Sequence, residues 1–226
     1  MPISEVYNVD CLEYMRSLPD KHFDLCIADP PYGIGIDGQK ECVCKNPKNN
    51  RKYHPKKNWD KNIPSYSIFF EMHRVSKNQI IWGANYFLEH LNEAHKGWIC
   101  WYKGQQGLSM SDCELAYSNY DTPTRVVTLN RGILAREGTI HPTQKPIALY
   151  AWILDNYASQ GDKIFDPFLG SGSSRIAAYK KGFDFYACEL DKDYYEAQEE
   201  RFRRECLGEI KQSNGKIITQ NRLFDL

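Results

Sequence analysis

Several features are missing from this sequence of 226 residues, and each absence excludes a class of protein. It has no run of 18 apolar residues, so it offers no segment that could span a membrane as a helix. Residues 1–5 show no basic stretch followed by an apolar one, so we expect no signal peptide. Without an export signal, its eight cysteines are expected to be reduced thiols in a cytoplasmic protein.

The cysteine spacing indicates no metal site. Cys42 and Cys44 stand close together and His54 follows, but no second cysteine pair comes at the spacing of a zinc finger. We therefore expect no bound metal.

The sequence also lacks net charge, with 29 basic and 29 acidic residues. This balance argues against a strongly nucleic-acid-bound protein, but the charge is unevenly distributed. Residues 40–61 hold eight Lys or Arg against two acidic residues, a local excess of six positive charges. A local patch of this kind attracts anions whatever the total charge.

Apolar runs typical of strands alternate with segments typical of helices, most clearly at both ends of the chain. This alternation predicts an α/β fold, a Rossmann-like doubly wound and mostly parallel sheet with helices on both faces. We expect one domain over residues 1–226. Residues 33–62, rich in Lys, Asn and Pro, are expected to form a mobile basic loop inserted in it. We further expect a helix over 85–94 and a loop over 131–140.

The first chemical signal is the tetrapeptide Asp29-Pro30-Pro31-Tyr32, which follows a predicted strand over 23–28. Ligands of open α/β sheets bind at the carboxyl ends of strands. The Asp29 carboxylate can accept a hydrogen bond from an amino group, and two prolines leave carbonyls free to accept. Tyr32 offers a face to a flat ring. An ordinary strand-to-loop turn uses the same residue types and is the simpler alternative.

A second signal is the sequence strand, Gly170-Ser171-Gly172, helix, after which the next predicted strand ends at Glu189. Such a glycine turn lets backbone approach a nucleotide-like ligand, and an acidic residue at the next strand end can bind ribose hydroxyls. The third glycine of the dinucleotide fingerprint is replaced by Arg175, and no Gly-Lys-Ser/Thr follows. The expected ligand therefore lacks a phosphate, as S-adenosylmethionine does, although a plain tight turn would also explain the two glycines.

Three motifs together resemble those of a known family: Asp29 to Tyr32, the hexapeptide His141-Pro142-Thr143-Gln144-Lys145-Pro146, and the run Asp166-Pro167-Phe168-Leu169-Gly170-Ser171-Gly172. They look like the catalytic, pre-cofactor and cofactor motifs of amino-methylating DNA methyltransferases. The catalytic motif comes first, which is the order of the β class. The resemblance covers both ends of the chain, whereas residues 33–140 match only loosely.

The resemblance implies a role for each matching residue. Asp29 and the Pro30 carbonyl, in a turn stiffened by Pro31, would hold the target amino group, and Tyr32 would stack on a flipped-out base. Eight residues would contact S-adenosylmethionine: Asp10 at the adenine, Thr143, Lys145 and Asp166 near the methionine, Phe168, Gly170 and Gly172 along the cofactor, and Glu189 at the ribose. Helix capping explains Asp10 equally well, and a place in the core explains Phe168 nearly as well.

The implied chemistry is positioning and electrostatics. An exocyclic amine is a poor nucleophile because its lone pair is delocalised, and acceptors at Asp29 and Pro30 would favour the nucleophilic, tetrahedral nitrogen. No cysteine follows the two prolines, so a covalent cysteine–cytosine route has no candidate. In this family Asp at the first motif position goes with adenine N6 and Ser with cytosine N4, so Asp29 favours adenine.

Little sequence is left for reading DNA. Residues 118–140 are the expected recognition segment, and from this lack of room we expect a short or relaxed target site. Six basic residues are the candidate contacts to double-stranded DNA. Lys52, Lys56 and Lys57 in the basic loop are expected to bind the DNA backbone. Arg125, Arg131 and Arg136 are candidates for phosphate or base-edge contacts, although solvated loop charge explains each of these three at least as well.

Other functions stay open on the sequence alone. The runner-up is a cytosine-N4 DNA methyltransferase. Methylation of RNA or of a protein glutamine is a further alternative, although for the latter we would expect the glycine motif first and an Asn at the start of the catalytic motif. The alternative that is not an enzyme is a nucleic-acid-binding subunit of the same fold. The family resemblance places the protein in the cytoplasm of a bacterial or phage-infected cell, and it leaves open a homodimer and a cognate restriction nuclease.

Overall fold

The structure, a computed structural model, describes residues 1–38, 40–41, 53–91, 96–107, 111–130, 132–211 and 215–219. Its strands are β1 (Ser4–Tyr7), β2 (Phe23–Ala28), β3 (Ser76–Trp82), β4 (Trp98–Tyr102), β5 (Cys113–Ser118), β6 (Arg125–Thr128), β7 (Lys163–Asp166), β8 (Asp184–Cys188), β9 (Glu209–Lys211) and β10 (Ile217–Thr219). Its α-helices are α1 (Cys11–Arg16), α2 (Tyr66–Val75), α3 (Ile133–Glu137), α4 (Ile147–Tyr157), α5 (Ser173–Lys180) and α6 (Lys192–Phe202), and a π-helical turn (Arg203–Leu207) follows α6.

Strands β1 to β8 form one sheet in the order β1-β8-β7-β2-β3-β5-β4-β6, while β9 and β10 pair separately. Within the larger sheet, β5 runs antiparallel to both neighbours and the other pairs are parallel. The prediction of a mostly parallel sheet is therefore confirmed. Seven carboxyl strand ends meet at one edge, and β5 begins at that same edge.

Both faces of the sheet carry a hydrophobic core. Leu25 and Ile27 of β2 belong to a cluster that includes residues of α4 and α5, whereas Cys26 and Ala28 belong to a second cluster that includes residues of α1 and α2. Successive side chains of a strand point to opposite faces, so β2 is buried on both sides. This explains the apolar run over 25–28 and confirms helices on both faces.

The predicted helix over 85–94 is wrong. The described part of that segment holds two 3₁₀ turns, Ala84–Tyr86 and Leu88–His90, while residues 92–95 lie outside the described residues. Between the two turns, Phe87 has φ −141° and a fully buried ring that packs 5.0 Å from Phe69. Burying this ring interrupts the helical backbone.

The predicted loop over 131–140 contains the short helix α3 instead. Its Leu134 side chain is buried, and the Glu137 carboxylate accepts a hydrogen bond from Ile147 N and pairs with Arg201 at 3.2 Å. Arg201 is 64 residues away from Glu137 in the sequence. Because this contact depends on the fold, the local composition did not reveal the helix.

The described ends of the basic loop 33–62 are joined by hydrogen bonds between carboxylates and backbone N–H groups. The two oxygens of Asp60 accept from Gly33 N and Ile36 N, each at 2.8 Å. Asp37 accepts from the backbone N–H groups of Lys57 and Asn58. The centre of the loop, 42–52, which includes Lys52 and the cysteines weighed for zinc, lies outside the described residues.

In the part of the chain that the structure describes, no helix has the length and apolar character that a bilayer crossing requires.

Candidate active site

A cavity of about 1270 Å³ opens at the edge where the parallel strands end. Asp29 after β2, Gly83 after β3, Lys103 after β4 and Glu189 after β8 all line it, together with Glu114 at the start of β5. Typical small-molecule pockets span roughly 300 to 1,000 Å³. The cavity therefore has room for more than one ligand.

The Asp29 to Tyr32 turn forms one wall of this cavity, and Pro30 and Pro31 line it too. The Tyr32 hydroxyl donates to Asp29 Oδ1 at 2.8 Å. The Tyr32 ring stacks on Tyr86 with centroids 5.0 Å apart and planes 15° apart. The carboxylate and the aromatic ring thus lie side by side, as a planar amino-bearing ligand would need.

Lys145 contacts this carboxylate directly, which the resemblance did not imply. Its ammonium lies 2.5 Å from Asp29 Oδ1, 3.1 Å from Glu114 Oε2 and 3.1 Å from the Tyr32 hydroxyl. The neighbouring Thr143 lines the cavity. The segment before α4 therefore supplies a cation to the Asp29 to Tyr32 turn.

Glu114 is a site residue that the sequence analysis missed. Its Oε1 accepts from Lys103 Nζ at 2.6 Å, while Oε2 contacts Lys145. Burial works to raise the pKa of Glu114, but Lys145 and Lys103 outweigh it and lower the pKa to about 2. A lone carboxylate inside the apolar run 113–117 was the one available signal.

The charges around Asp29 act in opposite directions on its pKa. Burial raises the pKa of Asp29, Lys145 lowers it and Glu114 raises it, with a raised value as the result. Burial works to lower the pKa of Lys145, but the Asp29 and Glu114 carboxylates prevail and raise it. Lys145 is therefore an ammonium at neutral pH.

The glycine turn forms a second wall. Glu189 Oε2 accepts from Gly170 N and Oε1 from Asp191 N, each at 2.8 Å. Glu189, Gly170 and Phe168 all line the cavity. Two backbone donors thus fix a carboxylate at the end of β8, where it can accept hydrogen bonds from the hydroxyl groups of a ligand.

Two further residues of the cofactor motif shape this turn from behind instead of lining the cavity. Gly172 has φ +74°, and a β-carbon there would lie 3.1 Å from Gln198 Cβ. Asp166 is buried and accepts from Ser174 Oγ at 2.5 Å and Phe168 N at 2.9 Å. Burial raises the pKa of Asp166 to about 7.

Asp10 caps a helix and also lines the cavity. Its Oδ1 accepts from Leu12 N at 2.8 Å and Glu13 N at 3.2 Å, which caps α1. It also lines the cavity, on the side of Glu189. The helix cap holds the carboxylate at the cavity rim.

An aromatic wall stands beside the glycine turn. The His141 ring lies between Trp59, at 5.0 Å, and Tyr194, at 4.4 Å. Lys57 lies over the Tyr194 ring and pairs with Asp191 and Asp193 at 2.6 Å each. Lys57, expected to bind DNA, is thus engaged within the protein.

The structure does not bring the other candidate DNA contacts to one place. Lys56 is exposed near the cavity, and Arg136 is exposed on α3, beyond the carboxyl end of β6. Arg125 begins β6 and so lies at the opposite edge of the sheet. Lys52 and Arg131 lie outside the described residues.

Within the described residues, no group of three or more His, Cys, Asp or Glu side chains is arranged to hold a metal ion.

Comparison with known proteins identifies the class. The family model N6_N4_Mtase, described as DNA methylase, matches residues 78–200. This is more than half of the chain, and the chain belongs to this family of DNA methylases.

Particular relatives agree with this assignment. The chain is 24% identical to the type II methyltransferase M2.MboI of Moraxella bovis, over 87% of this chain and 86% of that one. Its fold resembles the M1.HpyAVI–SAM complex, with a TM-score of 0.60, 20% identity and coverage of 87% and 98%. It also resembles the PvuII DNA methyltransferase, which is cytosine-N4-specific, with a TM-score of 0.55, 13% identity and coverage of 95% of each chain. At these identities the two structures establish a shared fold.

Proposed function

We propose that this protein transfers a methyl group from S-adenosylmethionine to N6 of an adenine flipped out of double-stranded DNA. The observation that carries the proposal is one continuous cavity that joins Asp29, held by Tyr32 and Lys145, to the Glu189 carboxylate at the glycine turn. A reacting carboxylate and a nucleoside-binding carboxylate thus open into the same space.

The donor set of the second wall suits S-adenosylmethionine. Glu189 presents a carboxylate already oriented by two backbone N–H groups, which suits ribose hydroxyls. Asp10 and Glu189 place two carboxylates on this rim, which suits a ligand that carries a positive sulfur and an ammonium group and has no phosphate. The third carboxylate, Asp191, pairs with Lys57. Phe168 and Leu190 add apolar surface for a flat ring.

When bound, the cofactor would supply a methyl group on a positively charged sulfur; the new bond to the amino nitrogen would form as the carbon–sulfur bond breaks with its electron pair on sulfur, and the methylated nitrogen would then release one proton to water. Asp29 accepts a hydrogen bond from the amino group and stabilises the positive charge that develops on its nitrogen. The Pro30 carbonyl is a second acceptor. Tyr32 holds the base by stacking and fixes Asp29 through its hydroxyl.

Adenine is proposed as the target because the motif begins with Asp29. The runner-up is N4 of cytosine, favoured by the fold shared with the cytosine-N4-specific PvuII enzyme. Both amines present the same planar nitrogen to Asp29, so the mechanism is the same for either base.

DNA contacts are proposed for Lys56 and Arg136, which are exposed on the cavity side, together with Lys52 and Arg131 from the sequence. Arg125 and the segment 118–124 after β5 are omitted, because they lie at the far edge of the sheet. The connection between β4 and β5 enters at the cavity edge, and its Lys103, Ser111 and Asp112 line the cavity. We add it to the proposed recognition surface of this single domain. A homodimer and a cognate restriction nuclease stay predictions.

The test is product analysis. Purified protein is incubated with S-adenosylmethionine and unmethylated DNA, which is then digested to nucleosides for mass spectrometry. N6-methyladenine from the wild type, with none from Asp29→Ala, is the expected result. N4-methylcytosine would overturn the base assignment alone, and bound cofactor with no methylated base would overturn the proposed activity. Sequencing of the methylated DNA should give a short or relaxed site, and a strict site of six or more bases would contradict that expectation.

A further inference from the structure

Four charged side chains form a continuous array along the cavity wall beside Asp29. The array runs from Lys103 to Glu114, from Glu114 to Lys145 and from Lys145 to Asp29, with nitrogen–oxygen distances of 2.6, 3.1 and 2.5 Å. These residues come from the end of β4, the start of β5, the segment before α4 and the end of β2. The array is therefore a product of the fold rather than of one motif.

Glu114 holds the middle of this array. Its Oε1 pairs with the Lys103 ammonium and its Oε2 with the Lys145 ammonium. The Lys145 side chain is only 3% exposed. Each charge has an opposite charge as its neighbour, and the four sum to zero, which lowers the cost of burying them.

Lys145 and Tyr32 contact the same oxygen of Asp29. The ammonium lies 2.5 Å from Oδ1, and the Tyr32 hydroxyl donates to Oδ1 at 2.8 Å. Neither takes Oδ2, although Asp29 lines the cavity. Two contacts on one oxygen restrict rotation of the carboxylate and leave the other oxygen to a ligand.

We propose that Glu114 is a positioning residue for the reacting carboxylate. By holding the Lys145 ammonium in place, Glu114 maintains the contacts of Asp29 Oδ1 with Lys145 and Tyr32. These contacts orient Oδ2 toward the target amino group. Glu114 also offsets the positive charge of Lys145, which would otherwise oppose the charge developing on the amino nitrogen. This role rests on the proposed methyl transfer and adds to it a residue outside the three sequence motifs.

The groups that face Asp29 come from every element around it: Tyr32 in its own turn, Glu114 on β5, Lys145 before α4, Tyr150 on α4 and Asp166 on β7. After burial, Lys145 and Glu114 act most strongly on the pKa of Asp29, and with opposite signs. Neutralising Glu114 should therefore lower that pKa, and neutralising Lys145 should raise it. Both shifts follow from the two charges themselves, and the positioning role adds a lower rate at pH values where Asp29 is ionised in every variant.

The experiment measures single-turnover methylation of DNA across the acid range, with saturating S-adenosylmethionine, for the wild type, Glu114→Gln and Lys145→Met. Transfer needs the Asp29 carboxylate, so the rate falls as this group is protonated. The acid limb is the low-pH part of the rate profile, where the rate falls. Glu114→Gln should move this limb to lower pH by about one unit or more, and Lys145→Met should move it to higher pH. Both variants should have lower plateau rates, and Glu114→Gln should keep the cofactor affinity of the wild type.

A matched control is Glu199→Gln, because Glu199 pairs with Arg175 on the outer side of the glycine turn. Its acid limb should coincide with that of the wild type. A Glu114→Gln variant with the acid limb and the plateau rate of the wild type would overturn the positioning role while leaving the proposed function intact.

A second measurement does not need turnover. The titration of the Asp29 carboxyl carbon, followed by NMR in each protein, should show the same opposite shifts, and an unmoved titration would contradict the role. Absence of any methylated base with the wild type is a separate result, since it overturns the proposed function alone.

Discussion

The ring of Tyr32 lies directly against Gly83, so that a β-carbon added to Gly83 would stand 2.1 Å from Tyr32 Cε1. The two residues follow neighbouring parallel strands, β2 and β3. Gly83 also has φ +68°, a region that favours glycine. The end of β3 therefore makes room for the Tyr32 ring.

Gly83→Ala should displace Tyr32 and weaken its hydrogen bond to Asp29. We expect methyl transfer to fall by about a hundredfold, because small displacements of positioning groups have effects of this size. The affinity for S-adenosylmethionine, measured by calorimetry, should be unchanged, since Gly83 is remote from Glu189. The free energy of unfolding should fall by about 1 to 3 kcal/mol from backbone strain.

Gly161→Ala is the matched control for this strain. Gly161 has φ +95°, and a β-carbon there would meet no heavy atom within 4 Å. It should lose stability and keep its methylation rate. Equal losses of rate in the two variants would show that strain, rather than contact with Tyr32, is responsible.

The two walls of the cavity could be predicted from sequence because each is a local motif at a strand end. The Asp29 turn follows β2, and the glycine turn lies between β7 and α5. In both cases a few consecutive residues fix the backbone, so the motif carries its own geometry.

The charged array could not be predicted in this way. Lys145 reaches Asp29, and Glu114 reaches Lys145, only because β5 enters the sheet antiparallel and begins at the cavity edge. The direction of β6 likewise decides the position of Arg125. Because β6 runs parallel to β4, its first residue lies at the edge opposite the cavity, and the sequence alone does not reveal this direction. These contacts depend on strand order and register, which are properties of the whole chain.

Glu189→Gln should weaken cofactor binding. The variant keeps the size of the side chain but removes the negative charge of a carboxylate that accepts hydrogen bonds from Gly170 N and Asp191 N. Hydrogen bonds to a charged group contribute about 1.5 to 3 kcal/mol, so the Kd for S-adenosylmethionine should rise by roughly ten- to a hundredfold. Calorimetric titration measures this, with Glu196→Gln on the exposed face of α6 as the control. An unchanged Kd would remove Glu189 from the proposed cofactor site.

Neutralising Lys56 and Arg136 should weaken DNA binding and flatten its salt dependence. Each phosphate contact contributes about one unit to the slope of log K against log salt, so the double variant should lose roughly two units. Fluorescence anisotropy with labelled duplex at several salt concentrations measures the slope. Arg125→Gln is the matched control, because Arg125 lies at the far edge of the sheet, and its slope should equal that of the wild type. A slope unaltered in the double variant would exclude both residues as phosphate contacts.

His141 should make stability depend on pH. Burial, followed by the nearby charges of His54 and Lys145, lowers the pKa of His141 from 6.5 to about 3. The unfolded chain therefore binds a proton that the folded protein does not, and the stability contributed by neutral His141 is lost as pH falls from 6.5 toward 3.

His141→Gln should remove this part of the pH dependence. Urea unfolding between those two pH values should show the stability of the wild type declining more steeply than that of the variant, by about 1 kcal/mol per pH unit. Thr143→Val is the control, because it removes the hydroxyl that lies 3.1 Å from His141 Nδ1 and keeps the imidazole. Its curve should run parallel to that of the wild type. Parallel curves for the wild type and His141→Gln would mean that the folded protein accommodates the imidazolium, and that the wall formed by His141, Trp59 and Tyr194 opens to water in solution.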